Sequence, residues 1–578
     1  MGHPDLPSWY NNLGITYQTK FEHSNDPSLL MCSLDCFQKA ARFITGHVEP
    51  RFSAACRWAR QSAQHTGSDA LAAYQIAMDL VPDLVWLGTS IGQRYGDVQQ
   101  VGGVAVEAAA WAISCKEYSL ALEWLEQGRS VVWNQTLQLR TPLDNLRTSY
   151  PSLTEKLEWV ASELHHASTQ SSIASIGPLN GSDSEIASQK QHRLAEQYKI
   201  LVNQVRELPG FEDFLLPRKA HQLLTAAKKA PVAVINIHQT RCDALLLLPG
   251  RNKAAHVPLT HLTYASRSLQ CLGVRERGEL RRPLLESDDE IHDEFVVVLA
   301  TLWTDVVKPI LGYLGFQHHP NIVKLPHIIW CTTGAMSFLP LHAAGFYDRP
   351  GETVSDYVVS SYTPTITALL STEAVLSSQP NILAVSQELT PGHTHLPGTK
   401  VELSSIKECA VGSSLYTQLD NHHATTSSVL SAMQQHDWVH FACHAHQNVQ
   451  DPTQSGFFLH DGVLNLATIT QRAFSNKGLA FLSACQTATG DKRLADESVH
   501  LASGMIMAGY PSVIATMWSV QDSDAPMIVE KVYSRLLKDQ VGSDRDVARA
   551  LHDAVGELRN HVGRTDFARW VPFIYIGM

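Results

Sequence analysis

The sequence has no run approaching the ~18 consecutive apolar residues that a membrane span needs, so no membrane partner is expected. Its first residues, Met1-Gly2-His3-Pro4-Asp5-Leu6-Pro7, carry neither the basic nor the apolar stretch of a secretory signal. They also lack the Ser or Thr at the sixth position that myristoylation wants. Basic residues are in deficit, 45 Lys and Arg against 56 Asp and Glu, for a net charge of −11. That balance argues against nucleic acid or an anionic membrane as the main partner. The ten cysteines follow no framework spacing, and most sit inside apolar patterns, as Cys56, Cys115, Cys242 and Cys331 do. Such usage belongs to a reducing compartment, and a cytoplasmic protein is expected. Gly398-Thr399-Lys400 lacks the first glycine of a phosphate-binding loop. Cys443, His444 and His446 have no second ligand pair at zinc spacing. No cofactor and no metal are therefore expected.

What is present is a globular composition, 44% hydrophobic and 17% charged over 578 residues, enough for two or three domains. Residues 1–166 read as helical throughout. Ala70, Tyr74, Ala77 and Pro82 fall at the spacing of the second helix of a tetratricopeptide repeat, and Tyr118, Ala121 and Leu125 at that of another. Asn12-Leu13-Gly14 with Tyr17 matches a first helix, with an unrelated helical bundle as the alternative. Residues 167–190, rich in Ser, Gly and Asn, read as a flexible excursion, and 191–230 as connecting helices. From 231 to 578 the texture changes to apolar strands alternating with helices. The strands are Pro231–Ile237 with a hairpin partner Asp243–Leu248, then Ile328–Cys331, Ile382–Val385, Trp438–Ala442, Leu479–Ala484, Ser512–Met517 and Phe573–Ile576. This alternation predicts a mostly parallel α/β sheet sandwiched by helices.

Two of these strands end in chemistry. Trp438-Val439-His440-Phe441-Ala442-Cys443 runs into His444, and Leu479-Ala480-Phe481-Leu482-Ser483-Ala484 runs into Cys485. Side chains at the carboxyl ends of parallel strands lie where such sheets bind ligands. By residue type alone Cys485 reads as an inert buried cysteine. Its setting in Ser483-Ala484-Cys485-Gln486, the small residues after it, and a histidine 485 − 444 = 41 positions upstream match the local pattern of caspases instead. A thiolate nucleophile with an imidazole as base and acid permits acyl transfer, with the backbone N–H groups of Ala445 and Cys485 as oxyanion donors. Alternation along the strand buries His440, and His446 is the second choice for the base. Asp522, after the next strand, is a candidate for lining a pocket for a basic side chain or for capping the helix near Ala525. Asp451, Asp461 and Asp491 are loop acids of similar standing.

These blocks add up to a resemblance. His440-Phe441-Ala442-Cys443-His444, Phe458-Leu459-His460-Asp461-Gly462, Leu482-Ser483-Ala484-Cys485-Gln486-Thr487, Ala508-Gly509-Tyr510-Pro511-Ser512-Val513 and Met517-Trp518-Ser519-Val520-Gln521-Asp522 resemble a CHAT domain. Gly334–Ala344 and Leu396-Pro397-Gly398-Thr399 match the domain's N-terminal half. The CHAT domain is a caspase-like peptidase module, related to caspases and separases and found beside tetratricopeptide repeats, as in the fungal repeat-plus-CHAT architecture. The resemblance implies a caspase-like α/β domain, His444 as base and acid, and Cys485 as nucleophile. It departs from the family's usual pattern at Ala445, where glycine is the rule. The expectation is a cysteine endopeptidase acting on a protein or peptide, gated by helical repeats that bind a regulatory protein. A catalytically silent scaffold or signalling adaptor on the same fold is the alternative.

Overall fold

The computed structural model describes residues 3–101, 103–139, 143–174, 181–262, 288–318, 324–370, 379–411, 415–448, 452–472, 474–484, 487, 500–538 and 546–577. The chain divides into two compact units, Met1–Ala220 and His221–Met578.

The first unit is helical, and its helices pair as antiparallel hairpins. Leu6–Ser24 packs on Pro27–Arg42, Val48–Gln61 on Ala70–Leu84, and Val104–Ser114 on Tyr118–Gln127. Small residues let the helices approach: Ala73, Ala77 and Ala121 are fully buried. A Cβ at Gly14 would stand 2.6 Å from the Phe37 ring, so only glycine fits that crossing. This pairing fits a helical repeat. The expected flexible excursion over 167–190 is not met at either end. The helix Pro151–Ala174 runs into it and the helix Gly181–Arg206 begins inside it, while 175–180 lie outside the described residues. Once a long helix is nucleated, each further residue adds a hydrogen bond at little cost, so helix extends into a sequence that would not start one.

The second unit is built on strands β1 (Val232–Ile237), β2 (Cys242–Leu247), β3 (Ala255–Pro258), β4 (His327–Thr332), β5 (Val359–Tyr362), β6 (Asn381–Ser386) and β7 (Leu415–Asp420). It continues with β8 (Trp438–Ala442), β9 (Ala445–His446), β10 (Gly456–Leu459), β11 (Gly462–Asn465), β12 (Leu479–Ser483), β13 (Ser512–Thr516) and β14 (Phe573–Gly577). Eleven of them form one sheet in the order β3-β2-β1-β4-β5-β14-β13-β12-β8-β6-β7. The hairpin read between 231 and 248 is β1–β2, with Ile237 opposite Cys242. The sheet is mostly parallel, but as two blocks of opposite direction. One runs through β1, β4, β5 and β14, the other through β13, β12, β8, β6 and β7, and they meet at the antiparallel pair β13–β14. Most central strands are buried on both faces, which is why they read as continuous apolar runs.

Helices cover both halves. Ile528, Val529, Val532, Tyr533 and Leu536 of the helix Ala525–Leu537 pack with Trp438, Phe481 and Ile514 of the sheet. The stretch Glu294–Leu314 is long and apolar enough to cross a bilayer by length and composition. Here its Val298, Leu302, Trp303, Val306 and Ile310 are packed into the core over β1 and β4. The sequence reading passed over β3, β5, β7 and the small sheet β11-β10-β9, which are short or partly exposed strands with weak apolar signals.

Candidate active site

β8 and β12 are parallel neighbours, with Phe481 beside His440 and Ser483 beside Ala442. His444 follows Ala442 by 444 − 442 = 2 positions, and Cys485 follows Ser483 by 485 − 483 = 2. Cys485, with Gln486 and 488–499, lies outside the described residues. The residues on either side of it are pinned to the end of β13. The Thr516 hydroxyl donates to the Ala484 carbonyl at 2.8 Å, and the Thr516 N–H donates to Thr487 Oγ1 at 3.0 Å.

The His444 ring is partly exposed, and its Nε2 lies 2.7 Å from the Thr394 carbonyl oxygen. A carbonyl only accepts, so Nε2 carries the proton, and the basic nitrogen of the neutral ring is Nδ1. Thr394 belongs to the loop 387–397 between β6 and the helix Gly398–Ala410. In that loop His393 lies against His444 at 4.8 Å between ring centroids and against Phe458 of β10 at 4.3 Å. Glu388 braces it: Oε1 takes His395 Nε2 at 2.8 Å, and Oε2 meets Lys400 Nζ at 2.6 Å. Lys400 first, then His395, holds the Glu388 carboxyl below the usual carboxylate range. The Gln387 N–H donates to the Ala442 carbonyl at 3.0 Å, which ties the loop to the strand that ends at His444. Sequence reasoning matched Leu396–Thr399 but missed Glu388, His393 and Thr394. A carbonyl oxygen has no signature in a sequence.

Ala445 and Phe457 are partners across β9 and β10, and the Phe458 N–H donates to the His444 carbonyl at 2.9 Å. That bond makes Ala445–Phe457 a non-hydrogen-bonded pair, so the Ala445 N–H points away from β10. Ala445 is absent from the residues with positive φ, so its Cβ is tolerated where the family has glycine.

His440 is fully buried, as the alternation predicts. Its Nε2 lies 3.1 Å from Glu402 Oε2, and Tyr533 OH lies 3.5 Å from its Nδ1. His446 is exposed on β9, its ring 6.2 Å from Phe458. Asp522 neither caps the helix Ala525–Leu537 nor stands free. Its Oδ2 accepts the Gly398 N–H at 2.7 Å, at the first residue of the helix Gly398–Ala410. A Cβ at Gly398 would come 2.4 Å from the Asp522 carbonyl oxygen, so this closure requires glycine. Asp522 Oδ1 has no donor among the described residues and the residue is partly exposed. Asp461 takes both the N–H and the hydroxyl of Thr426, while Asp451 and Asp491 lie outside the described residues. Lys400, read beside a phosphate-loop fragment, is occupied by Glu388.

A mostly parallel sheet covered by helices, with an imidazole beyond one strand end, defines the C-terminal unit as caspase-like α/β. Residues 297–578 match the family model of the CHAT domain. No curated protein matches the chain. Among solved structures it is similar to two crystal structures of the Saccharomyces cerevisiae separase–securin complex, at 10% identity over 95% of this chain, with TM-scores of 0.44 and 0.42. The chain spans about half, 52%, of the chains it matches there. It is also similar to the Arg-specific cysteine proteinase gingipain R, at 11% identity over 47% of this chain and 67% of that one, with a TM-score of 0.36. These likenesses are remote, and the assignment rests on the family match and the sheet.

Proposed function

We propose that the second unit is a cysteine endopeptidase with Cys485 as nucleophile and His444 as base and acid. The observation that carries this reading is the hydrogen bond from His444 Nε2 to the Thr394 carbonyl, beside two parallel strands in register. It holds the ring at a strand end in the tautomer a thiol needs. His444 Nδ1 takes the Cys485 proton, and the sulfur attacks the scissile carbonyl. The N–H groups of Ala445 and Cys485 receive the oxyanion. Nδ1–H then protonates the leaving amine as the C–N bond breaks, leaving a thioester. Water, deprotonated at Nδ1, hydrolyses it and restores the thiol. Asp522, through its Oδ1, is the residue for a basic P1 side chain. The helical unit binds a regulatory protein that gates cleavage, and the protein works in the cytoplasm.

The test is to expose the full chain to a diverse peptide library, sequence the products, and titrate the protein with an electrophilic peptide probe. Defined cleavage products and labelling that requires His444 are expected. Neither cleavage nor selective labelling would leave the fold as a silent scaffold that binds partner proteins.

A second expectation concerns the brace. Glu388→Ala frees the loop that carries Thr394 and is expected to lower kcat by on the order of ten- to a hundredfold with KM little changed, as misplacement of a catalytic group does. Glu388 has a lowered pKa, so its ion pair with Lys400 persists at neutral pH and is lost only as pH falls through that value, below the ordinary ~4.3. The brace therefore operates across the neutral range. Equal losses in kcat and in thermal stability would mark Glu388 as a fold residue instead.

A further inference from the structure

A cavity lies in the same unit, away from His444, under the helix Val547–Val562. It has a volume of about 60 Å³, roughly twice a water molecule's share of liquid volume. Its floor is β5 and β14, and its roof is the helix. The floor has a physical reason to be open. β5 and β14 pair through a single register position, Tyr362 with Ile576, so the ladder between them is short.

The lining holds one guanidinium, Arg559, and the nearest acid, Asp356, acts on His552 by charge without contacting that guanidinium among the described residues. Arg559 has no carboxylate partner among the described residues. Its Nη1 donates to Ser355 Oγ at 2.7 Å, its guanidinium lies 5.6 Å from the Trp570 ring centroid, and its buried Nε has no acceptor. The nearby Asp356 spends its Oδ2 on the Thr353 N–H and hydroxyl. His342 and Tyr362 satisfy each other, since Nε2 donates to the Val571 carbonyl at 2.8 Å and Nδ1 meets Tyr362 OH at 2.7 Å. His552 faces the cavity with no hydrogen bond among the described residues. Burial, and then Arg559 and Arg549, push its pKa down to about 4, so the ring is neutral at pH 7. Ser360 Oγ accepts the Trp330 indole N–H at 3.1 Å and keeps its own hydroxyl proton to give.

A buried guanidinium nitrogen without an acceptor is costly, and a site with a guanidinium, a serine hydroxyl and an imidazole is built to receive an anion. We propose that this cavity binds one small oxyanion of the phosphate class, held by the Arg559 guanidinium with His552 and Ser360 completing the shell. The volume admits a single tetrahedral group. Because the roof, β5 and β14 all contribute, the bound anion would cross-link the strand seam where the ladder is short.

The experiment is thermal unfolding of the full chain titrated with inorganic phosphate at constant ionic strength, with sodium chloride as the matched control. A parallel titration with phenyl phosphate separates free phosphate from a phosphomonoester. A saturable rise in Tm is expected with inorganic phosphate and not with chloride. Arg559→Met keeps the stem over Trp570 and removes the charge, and is expected to weaken phosphate binding by about tenfold or more, as loss of a charged hydrogen bond does. Phenyl phosphate raising Tm as well assigns the site to monoesters, and its failure to do so assigns it to the free ion. An equal rise in Arg559→Met, or an equal rise with chloride, overturns the proposal, as does no rise with either phosphate. Should Arg559→Met not fold, Arg559→Lys decides: undiminished phosphate affinity in that variant, which lacks the planar fork, removes Arg559 as the anion's ligand.

Discussion

Cys485→Ala and His444→Gln are each expected to lower kcat/KM for peptide cleavage by at least ~10³-fold while leaving the thermal midpoint of the full chain nearly unchanged. Residues that act as one chemical unit show losses of this size, and the double variant is expected to be no worse than the worse single one. The stability control follows from the geometry of His444. Its ring is partly exposed and, among the described residues, makes a single hydrogen bond, to the Thr394 carbonyl at 2.7 Å. Removing a solvent-reachable group with one such bond costs about 1 kcal/mol. Glutamine can keep a donor toward Thr394 but supplies no base at neutral pH, so His444→Gln separates the hydrogen bond from the proton transfer. Cleavage by Cys485→Ala at the wild-type rate would remove the thiol from the mechanism.

The second large effect falls on the buried histidine of the strand that leads to His444. Glu402→Ala is expected to destabilise the protein by about 3–5 kcal/mol in urea unfolding, the range for a buried pair that loses one partner. His440 is fully buried and Glu402 is 2% exposed, with 3.1 Å between Nε2 and Oε2. Truncation strands the ring nitrogen and opens a void beside Phe481 and Tyr533, whose rings pack on His440. Glu402→Gln keeps an acceptor and volume, and is expected to cost much less. Equal losses for the two variants would show that the hydrogen bond is not what His440 needs. Together the two sets of variants separate two histidines four positions apart: one lost from catalysis with the fold intact, the other anchoring the fold.

That separation also marks what could be read in the chain. Trp438–Ala442 and Leu479–Ser483 were legible as strands because both of their faces are buried, and a twice-buried strand must be an unbroken apolar run. His440 was legible as internal because side chains alternate along a strand. His444 was legible as a candidate because it follows such a run into a turn of small residues. Strand β7, with Leu415 exposed at the edge of the sheet, offered no such run and was passed over. The stretch 167–190 misled for a related reason: its composition reports what it would do alone, and helices on both sides extend into it.

The sequence by itself determined the class of the second unit, the helical character of the first, and which residues are candidates for the chemistry. All three depend on residue type and spacing along the chain. Only the tertiary structure decided that the sheet is two parallel blocks of opposite direction, that Asp522 closes the first turn of the helix Gly398–Ala410, and that a carbonyl at Thr394 sets the tautomer of His444. Each of these rests on hydrogen bonds between groups far apart in the chain, and all three use backbone atoms that every residue carries alike. Such bonds leave no trace in residue identity and exist only once the chain has folded.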